Sequence, residues 1–235
     1  EPMALAPNGA PALDQSGGMW IKLTVCGVTR LGYGHADGKS GGDAIKEVAA
    51  SGCLPDQKAH QYYPTPEGLA RVAVDMAKIG PHHECLEPSA GTGSLADLMP
   101  RTVTTCVEIS PLHCKVLEAK GFNVVANDFM EASGEYDRIV MNPPFSGRRD
   151  AEHVRHAYEL LNPGGRLVAL MGEGVFFGQD KKAQEFRDWL ESVGGTDEKL
   201  AEGTFLDPSL PVNTGVNARM VVIDKPEDAP MAMRG

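Results

Sequence analysis

The tetrapeptide Asn142-Pro143-Pro144-Phe145 follows the apolar run RIVM and has residue types suited to chemistry on a planar amine. Proline lacks a backbone N–H and has a fixed φ, so the two prolines stiffen the turn and remove two donors. The amide oxygen of Asn142 and the carbonyl oxygen of Pro143 can then both accept hydrogen bonds from one NH2 group. Catalysis at such a site rests on orientation and charge placement, and no strong base is needed. Phe145 offers a flat apolar face for the ring that carries the amine. The structural alternative is a strand-ending turn followed by a core phenylalanine.

A second motif, the segment EPSAGTG at residues 87–93, joins a short apolar strand to a predicted helix. Gly91 and Gly93 allow the backbone to approach a ligand closely, and a helix N-terminus presents free N–H groups. Ala96 stands where the third glycine of a GxGxxG motif would fall, which disfavours a dinucleotide site. The candidate ligand-binding residues of this turn are Glu87, Pro88, Ser89, Ala90, Gly91 and Gly93.

Two acidic residues end the next two predicted strands. Glu108 lies 21 positions after Glu87 and suits a carboxylate that accepts two ribose hydroxyls. Asp128 ends the following strand, where a carboxylate can accept from the exocyclic amine of an adenine. In open α/β sheets ligands bind at the carboxyl ends of the strands, so two acids beside a glycine turn favour an adenosine-bearing ligand. Taken alone, each acid is equally well explained as a solvated residue in a loop.

Strands and helices alternate from residue 60 onward. Helices are predicted at 67–80, 94–99, 111–121, 150–165 and 181–195, and strands at 84–88, 102–109, 122–128, 136–142, 166–172, 198–206 and 218–225. This alternation implies right-handed βαβ crossovers and a parallel sheet covered on both faces. The last two strands have no helix between them and are expected to form an antiparallel hairpin. The residues predicted to face the core in the first helix are Leu69, Val72, Ala73 and Met76.

Residues 1–59 are predicted to form a separate N-terminal part, and residues 60–235 the main domain. The first 19 residues are rich in Pro, Ala and Gly and are expected to be a mobile tail without a secretory signal. A strand over 19–30, a glycine-rich loop and a short helix over 44–52 are predicted next. At 235 residues, the chain has room for one large domain with such an appendage.

Together these motifs resemble those of class I S-adenosylmethionine-dependent methyltransferases, over about residues 60–225. The resemblance implies a Rossmann-like α/β domain with a mostly parallel seven-stranded sheet, helices on both faces and a C-terminal antiparallel hairpin. It also implies S-adenosyl-L-methionine as the cofactor, bound by EPSAGTG. The further cofactor-binding residues that it implies are Glu108 with Ile109, Asp128 with Phe129, Asn142, and Thr65 and Pro66 of YYPTP, which looks like the N-terminal motif of amino-methylating DNA enzymes. Because the five cysteines include no CxxC pair and the histidines show no ligand spacing, no metal site is expected.

The NPPF turn is similar to the [DNS]PP[YFW] signature of N-methyltransferases that act on planar amino groups. The motif order resembles that of enzymes methylating adenine N6 in DNA, with Asn142 to Phe145 as catalytic residues and Phe145 also touching the substrate. Arg148 and Arg149 are candidate phosphate contacts, although an exposed arginine pair is often only a solvated surface. The alternatives are an RNA amino-base or protein-glutamine N-methyltransferase, and a catalytically silent cofactor-binding subunit of a DNA-processing complex.

The charge balance limits how the chain can bind DNA. It has 22 Lys and Arg against 32 Asp and Glu, a formal net charge of −10, so coating of nucleic acid without regard to sequence is disfavoured. Only about 90 residues follow NPPF, and they are needed for the remaining strands of the predicted sheet. We therefore expect weak, salt-sensitive DNA binding, loose sequence selectivity and a protein partner that supplies specificity. No apolar run is long enough for a membrane span, and a cytoplasmic location is expected.

Overall fold

A computed structural model describes residues 18–25, 28–35, 63–208 and 214–228. The chain divides into two compact units, residues 1–55 and 56–235. In the first unit, β1 (Gly18–Val25) and β2 (Val28–His35) pair as an antiparallel sheet. The prediction of one strand over 19–30 is therefore wrong, because the chain reverses direction after Val25. The predicted helix at 44–52 and the first 17 residues lie outside the described part of the chain.

The second unit is built on a seven-stranded sheet. Its strands are β3 (Cys85–Pro88), β4 (Thr104–Glu108), β5 (Asn123–Ala126), β6 (Tyr136–Met141), β7 (Leu161–Gly172), β8 (Thr196–Lys199) and β9 (Ala218–Asp224). Their order across the sheet is β5-β4-β3-β6-β7-β9-β8. The first five pair in parallel, and β9 runs antiparallel to both β7 and β8. The predicted mostly parallel sheet with a C-terminal antiparallel hairpin is confirmed, except that the strand predicted at 198–206 ends at Lys199.

Helices cover the faces of this sheet. They are α1 (Glu67–Met76), α2 (Pro111–Ala119), α3 (Arg149–Glu159), α4 (Gly174–Phe177) and α5 (Lys181–Ser192). Single 3-10 turns occur at Ala96–Leu98, Phe129–Glu131 and Ser146–Arg148. The helix predicted at 94–99 is only the first of these turns. Met99 has extended backbone, and it precedes Pro100, whose ring disfavours the helical region for the residue before it.

The core lies on both faces of the central strands. Ile139, Val140 and Met141 of β6 are fully buried, and so is the run from 167 to 171 in β7. Near-continuous apolar strands of this kind are typical of parallel sheets covered on both faces. The buried face of α1 is Leu69, Ala70 and Ala73, and Ala77, directly after the helix, is also buried. The predicted stripe is thus wrong at two positions, since Val72 is 51% exposed and Met76 is 39% exposed.

The carboxyl ends of the parallel strands place the candidate site residues along one edge of the sheet. The segments that follow β3, β4, β5 and β6 contain the glycine turn, Glu108 with Ile109, Asp128 with Phe129, and the NPPF turn. This is the edge at which open α/β sheets bind ligands. Within the described residues, every helix is too short or too polar to cross a lipid bilayer.

Candidate active site

The glycine turn after β3 is sharply bent. Ser89, Gly91 and Gly93 all have positive φ, at 63°, 56° and 92°. A side chain is costly in this left-handed region, and a Cβ on Gly93 would also come within 3.0 Å of the Leu117 side chain. The backbone at Gly93 therefore requires glycine. The turn brings bare main chain to the sheet edge, as a close-fitting ligand site needs.

Glu87 supports this turn from within the core. Its carboxylate accepts a hydrogen bond of 2.6 Å from the N–H of Ala96, and burial raises its pKa well above the ordinary value. From the far end of α2, the Lys120 ammonium donates to the carbonyl of Thr92 at 2.7 Å. Glu87 thus fixes the backbone at Ala96, after the turn, and Lys120 fixes the backbone at Thr92, within it. Lys120 was not singled out from the sequence, where it is one lysine near the end of a helix.

Glu108 joins the second strand to the glycine turn. Its two carboxylate oxygens accept from the N–H of Gly91 at 2.6 Å and from the N–H of Ser110 at 2.7 Å. Burial alone would raise its pKa, but hydrogen bonds from His113 and from these two N–H groups hold the pKa below the ordinary value. A carboxylate has about four acceptor positions, and Gly91, Ser110 and His113 take three of them. Ionised Glu108 therefore has about one position left, which can accept one of the two predicted ribose hydroxyls.

The other residues that were predicted to lie beside an adenosine differ in exposure. Ile109, next to Glu108, leaves 47% of its surface exposed, so it is available as an apolar wall. Asp128 accepts the N–H of Met130 at 3.0 Å and so caps the short 3-10 turn. Phe129 is only 3% exposed, and its ring packs against His153 and His156, with centroids 5.3 and 4.9 Å away. Its predicted place beside an adenine stays a prediction.

The NPPF turn and the YYPTP segment meet at Asn142. The amide nitrogen of Asn142 donates to the hydroxyl of Thr65 at 3.0 Å and to the carbonyl of Tyr63 at 3.2 Å. Both amide hydrogens therefore have acceptors, and within the described residues no hydrogen bond to the amide oxygen is present. The oxygen is thus left as an acceptor, and Pro143 follows Asn142 directly in the chain. The Tyr63 carbonyl was missed by sequence reasoning, because a main-chain acceptor leaves no signal in residue type.

Phe145 is half-buried at the mouth of this turn. Its ring meets that of Phe205 edge-on, with centroids 6.1 Å apart. Behind it, a Cβ on Gly172 would lie 3.3 Å from the Phe145 side chain, so β7 fits closely against the turn. Phe205 was missed because residues 198–206 were predicted to be a strand. It lies instead in the β8–β9 connection and fixes one edge of Phe145.

The candidate phosphate contacts are paired with acids. The Arg148 guanidinium donates twice to Asp180, at 2.8 and 3.1 Å, and an Arg149 nitrogen lies 3.9 Å from the Asp128 carboxylate. Asp180 also accepts the N–H of Ala183 and caps α5, which is a role that its position before the helix signals. Phosphate binding by Arg148 would require it to exchange or share this partner.

Asp150 is a buried acid directly behind the NPPF turn. It is 1% exposed, and it accepts the N–H of Gly172 at 3.1 Å and the N–H of Ala151 at 3.0 Å. Burial raises its pKa to about 6, although these hydrogen bonds and the nearby Arg148 oppose the shift. Asp150 ties the start of α3 to the end of β7, the strand that supports Phe145.

No protein-family model matches this chain, and the search of curated proteins gives no significant match. Many solved structures are similar to it, and three are representative. The M protein of the type I restriction enzyme EcoKI has a TM-score of 0.57 and 17% identity over 69% of this chain. PH1948 of Pyrococcus horikoshii, described as a candidate RNA methyltransferase, has a TM-score of 0.53 and 20% identity over 80% of this chain. A candidate class I S-adenosylmethionine-dependent methyltransferase of Listeria monocytogenes has a TM-score of 0.54 and 14% identity over 74%.

These likenesses confirm the predicted fold, which is that of class I methyltransferases. Coverage of the other chains differs widely. The alignment includes 98% of PH1948 and 64% of the Listeria protein. It includes only 44% of the EcoKI M protein, so this chain corresponds to less than half of that subunit.

Proposed function

We propose that this protein is an S-adenosylmethionine-dependent N-methyltransferase whose target is the N6 amine of adenine in DNA. The observation that carries the proposal is the anchored amide of Asn142. Its nitrogen is engaged by Thr65 and Tyr63, which leaves its oxygen as an acceptor at the sheet edge that also holds the glycine turn. An acceptor pair formed with the Pro143 carbonyl suits a planar NH2 group.

The residues around the glycine turn fit the proposed cofactor. S-adenosylmethionine, when bound, supplies an electrophilic methyl group on a sulfonium centre. The bare backbone of Gly91 to Gly93 allows close approach, ionised Glu108 can accept one ribose hydroxyl, and Ile109 offers an apolar face. Asp128 stands at the end of the neighbouring strand, where the adenine amine is expected. These roles come from chemistry and position on the sheet edge.

The NPPF turn would act by orienting the amine. Two N–H bonds of the target donate to the Asn142 oxygen and the Pro143 carbonyl, which draws the nitrogen lone pair out of conjugation with the ring. S-adenosylmethionine, held at the glycine turn, would supply the methyl group to this nitrogen, which would then become acidic and could lose a proton to solvent. Neutral acceptors suffice, because they stabilise positive charge that develops on nitrogen. Phe145 stacks on the ring.

DNA is favoured among the amino-group substrates by the order of the motifs. The EcoKI M protein is a subunit of a type I restriction enzyme, and the part of it that aligns with this chain has the same fold. An adenine in a duplex would have to be flipped out of the stack, at a cost of a few kcal/mol. A net charge of −10 and the Arg148–Asp180 pair predict weak, salt-sensitive binding. A protein partner would then supply sequence specificity.

Methyl transfer from labelled S-adenosylmethionine tests the proposal directly. The protein is incubated separately with duplex DNA, single-stranded DNA, RNA and bulk protein, and the modified group is identified by mass spectrometry. We expect N6-methyladenine in DNA. Label in RNA alone would show that the substrate is RNA, while the proposed methylation of an amino group would still hold. Label in protein alone would overturn the nucleic-acid assignment.

The variant Asn142→Ala tests the catalytic role of the amide oxygen. Loss of the acceptor should lower transfer by at least about a hundredfold, the effect typical of removing one transition-state hydrogen-bonding group. Cofactor affinity, measured by calorimetry, should change little. Full turnover by the variant would show that Asn142 has no catalytic role. Cofactor binding without transfer to any substrate by the unmodified protein would instead support a catalytically silent subunit.

A further inference from the structure

We infer that the segment 63–66, here called the strap, fixes the polarity of the Asn142 amide and that Thr65 is a positioning residue for the target amine. The inference rests on the proposed function and adds a selectivity device to it. The sequence motif implied that Thr65 holds the cofactor. The geometry points to a different role, since the Thr65 hydroxyl lies 3.0 Å from the Asn142 amide nitrogen.

The strap presents acceptors to Asn142. Two of its four residues, Pro64 and Pro66, have no backbone N–H to donate. The carbonyl of Tyr63 and the hydroxyl of Thr65 each accept one hydrogen from the Asn142 amide nitrogen. Thr65 is almost completely buried, so water cannot readily replace its hydroxyl as the acceptor.

Within the strap, the carbonyl of Tyr63 decides which end of the amide faces the cleft, because it can only accept. The hydroxyl of Thr65 can accept or donate, so it holds the amide in place but does not choose its polarity. If the amide rotated by half a turn, its oxygen would stand about 3.2 Å from the Tyr63 carbonyl oxygen, and two acceptors would oppose each other. The NH2 group would then point into the cleft and favour a carbonyl group over an amine. The strap thus makes the site selective for groups that donate, such as the N6 amine of adenine, against groups that accept, such as the O6 of hypoxanthine.

The same contacts explain a requirement for asparagine at position 142. An aspartate would present oxygen at both ends of the group. One of these oxygens would face the carbonyl of Tyr63, where no proton lies between them. The Asn142→Asp variant keeps the acceptor for the target but loses the anchor, so we expect it to lose most activity although its shape is unchanged.

Two substitutions at Thr65 separate hydroxyl chemistry from packing. Thr65→Val keeps the shape and removes the acceptor, whereas Thr65→Ser keeps the acceptor. The first readout is NMR exchange of the Asn142 side-chain amide hydrogens with water, with the signal assigned by its absence in Asn142→Ala. We expect exchange to accelerate about tenfold in Thr65→Val, the effect of losing one net hydrogen bond, and to stay near the original rate in Thr65→Ser. This readout is independent of any methyl transfer.

The second readout measures selectivity and turnover. Oligonucleotides with a single adenine or a single hypoxanthine are bound in the presence of S-adenosylhomocysteine, and kcat is measured on the adenine oligonucleotide. In Thr65→Val we expect kcat to fall about ten- to a hundredfold, because the amide loses one of its two anchors, with cofactor Kd within about twofold. The preference for adenine should be kept, because the carbonyl of Tyr63 still sets the polarity of the amide. Thr65→Ser should stay within about threefold of the unmodified protein in both measurements.

The outcomes distinguish this inference from the proposed function. Unchanged amide exchange in Thr65→Val would overturn the inference, and so would an unchanged kcat or a lost preference for adenine in a protein that methylates DNA. A raised cofactor Kd with unaltered kcat would return Thr65 to the cofactor site and also overturn it. If the unmodified protein methylates nothing, the proposed function fails, while accelerated exchange in Thr65→Val would still support the strap's hold on Asn142.

Discussion

The buried carboxyl of Asp150 makes the stability of this protein depend on pH in a calculable way. Asp150 is 1% exposed and its pKa is raised from the ordinary 3.8 to about 6. The folded state therefore holds this proton more tightly than the unfolded chain does. The stabilising contribution of protonated Asp150 is complete below the pKa of this group in the unfolded chain, and it is lost as the pH rises through about 6.

The difference between the two pKa values sets the magnitude. It corresponds to about 3 kcal/mol in total, of which about 2.4 kcal/mol is lost between pH 4 and pH 7.5, because the unfolded chain already begins to ionise below pH 4. Asp150→Asn cannot ionise, so the variant avoids this loss. Any penalty from replacing an oxygen that accepts from the N–H of Gly172 or Ala151 is the same at every pH. The free energy of unfolding of the variant, relative to the unmodified protein, should therefore increase by about 2.4 kcal/mol over this range.

Urea unfolding at half-unit steps from pH 4 to 7.5 measures this difference. Asp75→Asn, on the exposed side of α1, corrects for the removal of one negative charge from an acidic protein. A constant difference between Asp150→Asn and the unmodified protein across the range would refute the reasoning. It would mean that the hydrogen bonds from Gly172 and Ala151 outweigh burial, and that Asp150 is ionised throughout.

Two further substitutions test the cofactor side. Glu108→Gln replaces one acceptor with an NH2 group that faces the N–H of Gly91 or Ser110. S-adenosylmethionine should therefore bind at least about tenfold more weakly, as measured by calorimetry. An unchanged Kd would show that Glu108 is not part of the cofactor site. Phe129→Ala leaves a cavity between His153 and His156 and should lower the free energy of unfolding by about 3–5 kcal/mol in urea. A variant of unaltered stability that binds S-adenosylmethionine more weakly would instead place Phe129 against the adenine.

The sequence predictions were strongest for segments whose residue pattern is compatible with only one kind of structure. Strands rich in apolar residues that alternate with helices can bury their faces only in a covered parallel sheet, and β3 to β7 follow that pattern. The NPPF and EPSAGTG turns were found because prolines and glycines restrict or free the backbone locally. Errors occurred where local patterns compete with packing. Residues 200–206 alternate like a strand, but they leave the sheet and bring Phe205 against Phe145.

Pairing between distant side chains was beyond the sequence. Arg148 and Arg149 were predicted as phosphate contacts from their charge, while Asp180 and Asp128 lie near them only after folding. Phe129 was assigned to a ligand from its neighbour Asp128, but its burial depends on α3, whose histidines cover it. Such contacts join residues far apart in the chain, and no residue type or spacing encodes them.

The sequence by itself determined which groups can do chemistry and on which edge of the sheet they lie, because motif type and strand order follow from local pattern. Only the tertiary structure decided how Asn142 is turned. Its amide is symmetric in shape, and one end differs from the other only in hydrogen bonding. The choice is made by the carbonyl of Tyr63, which can only accept, and the hydroxyl of Thr65 helps to hold the amide; both lie more than seventy residues away in the chain. Folding brings these two groups to the amide nitrogen, so the oxygen is the end of the amide that remains as an acceptor.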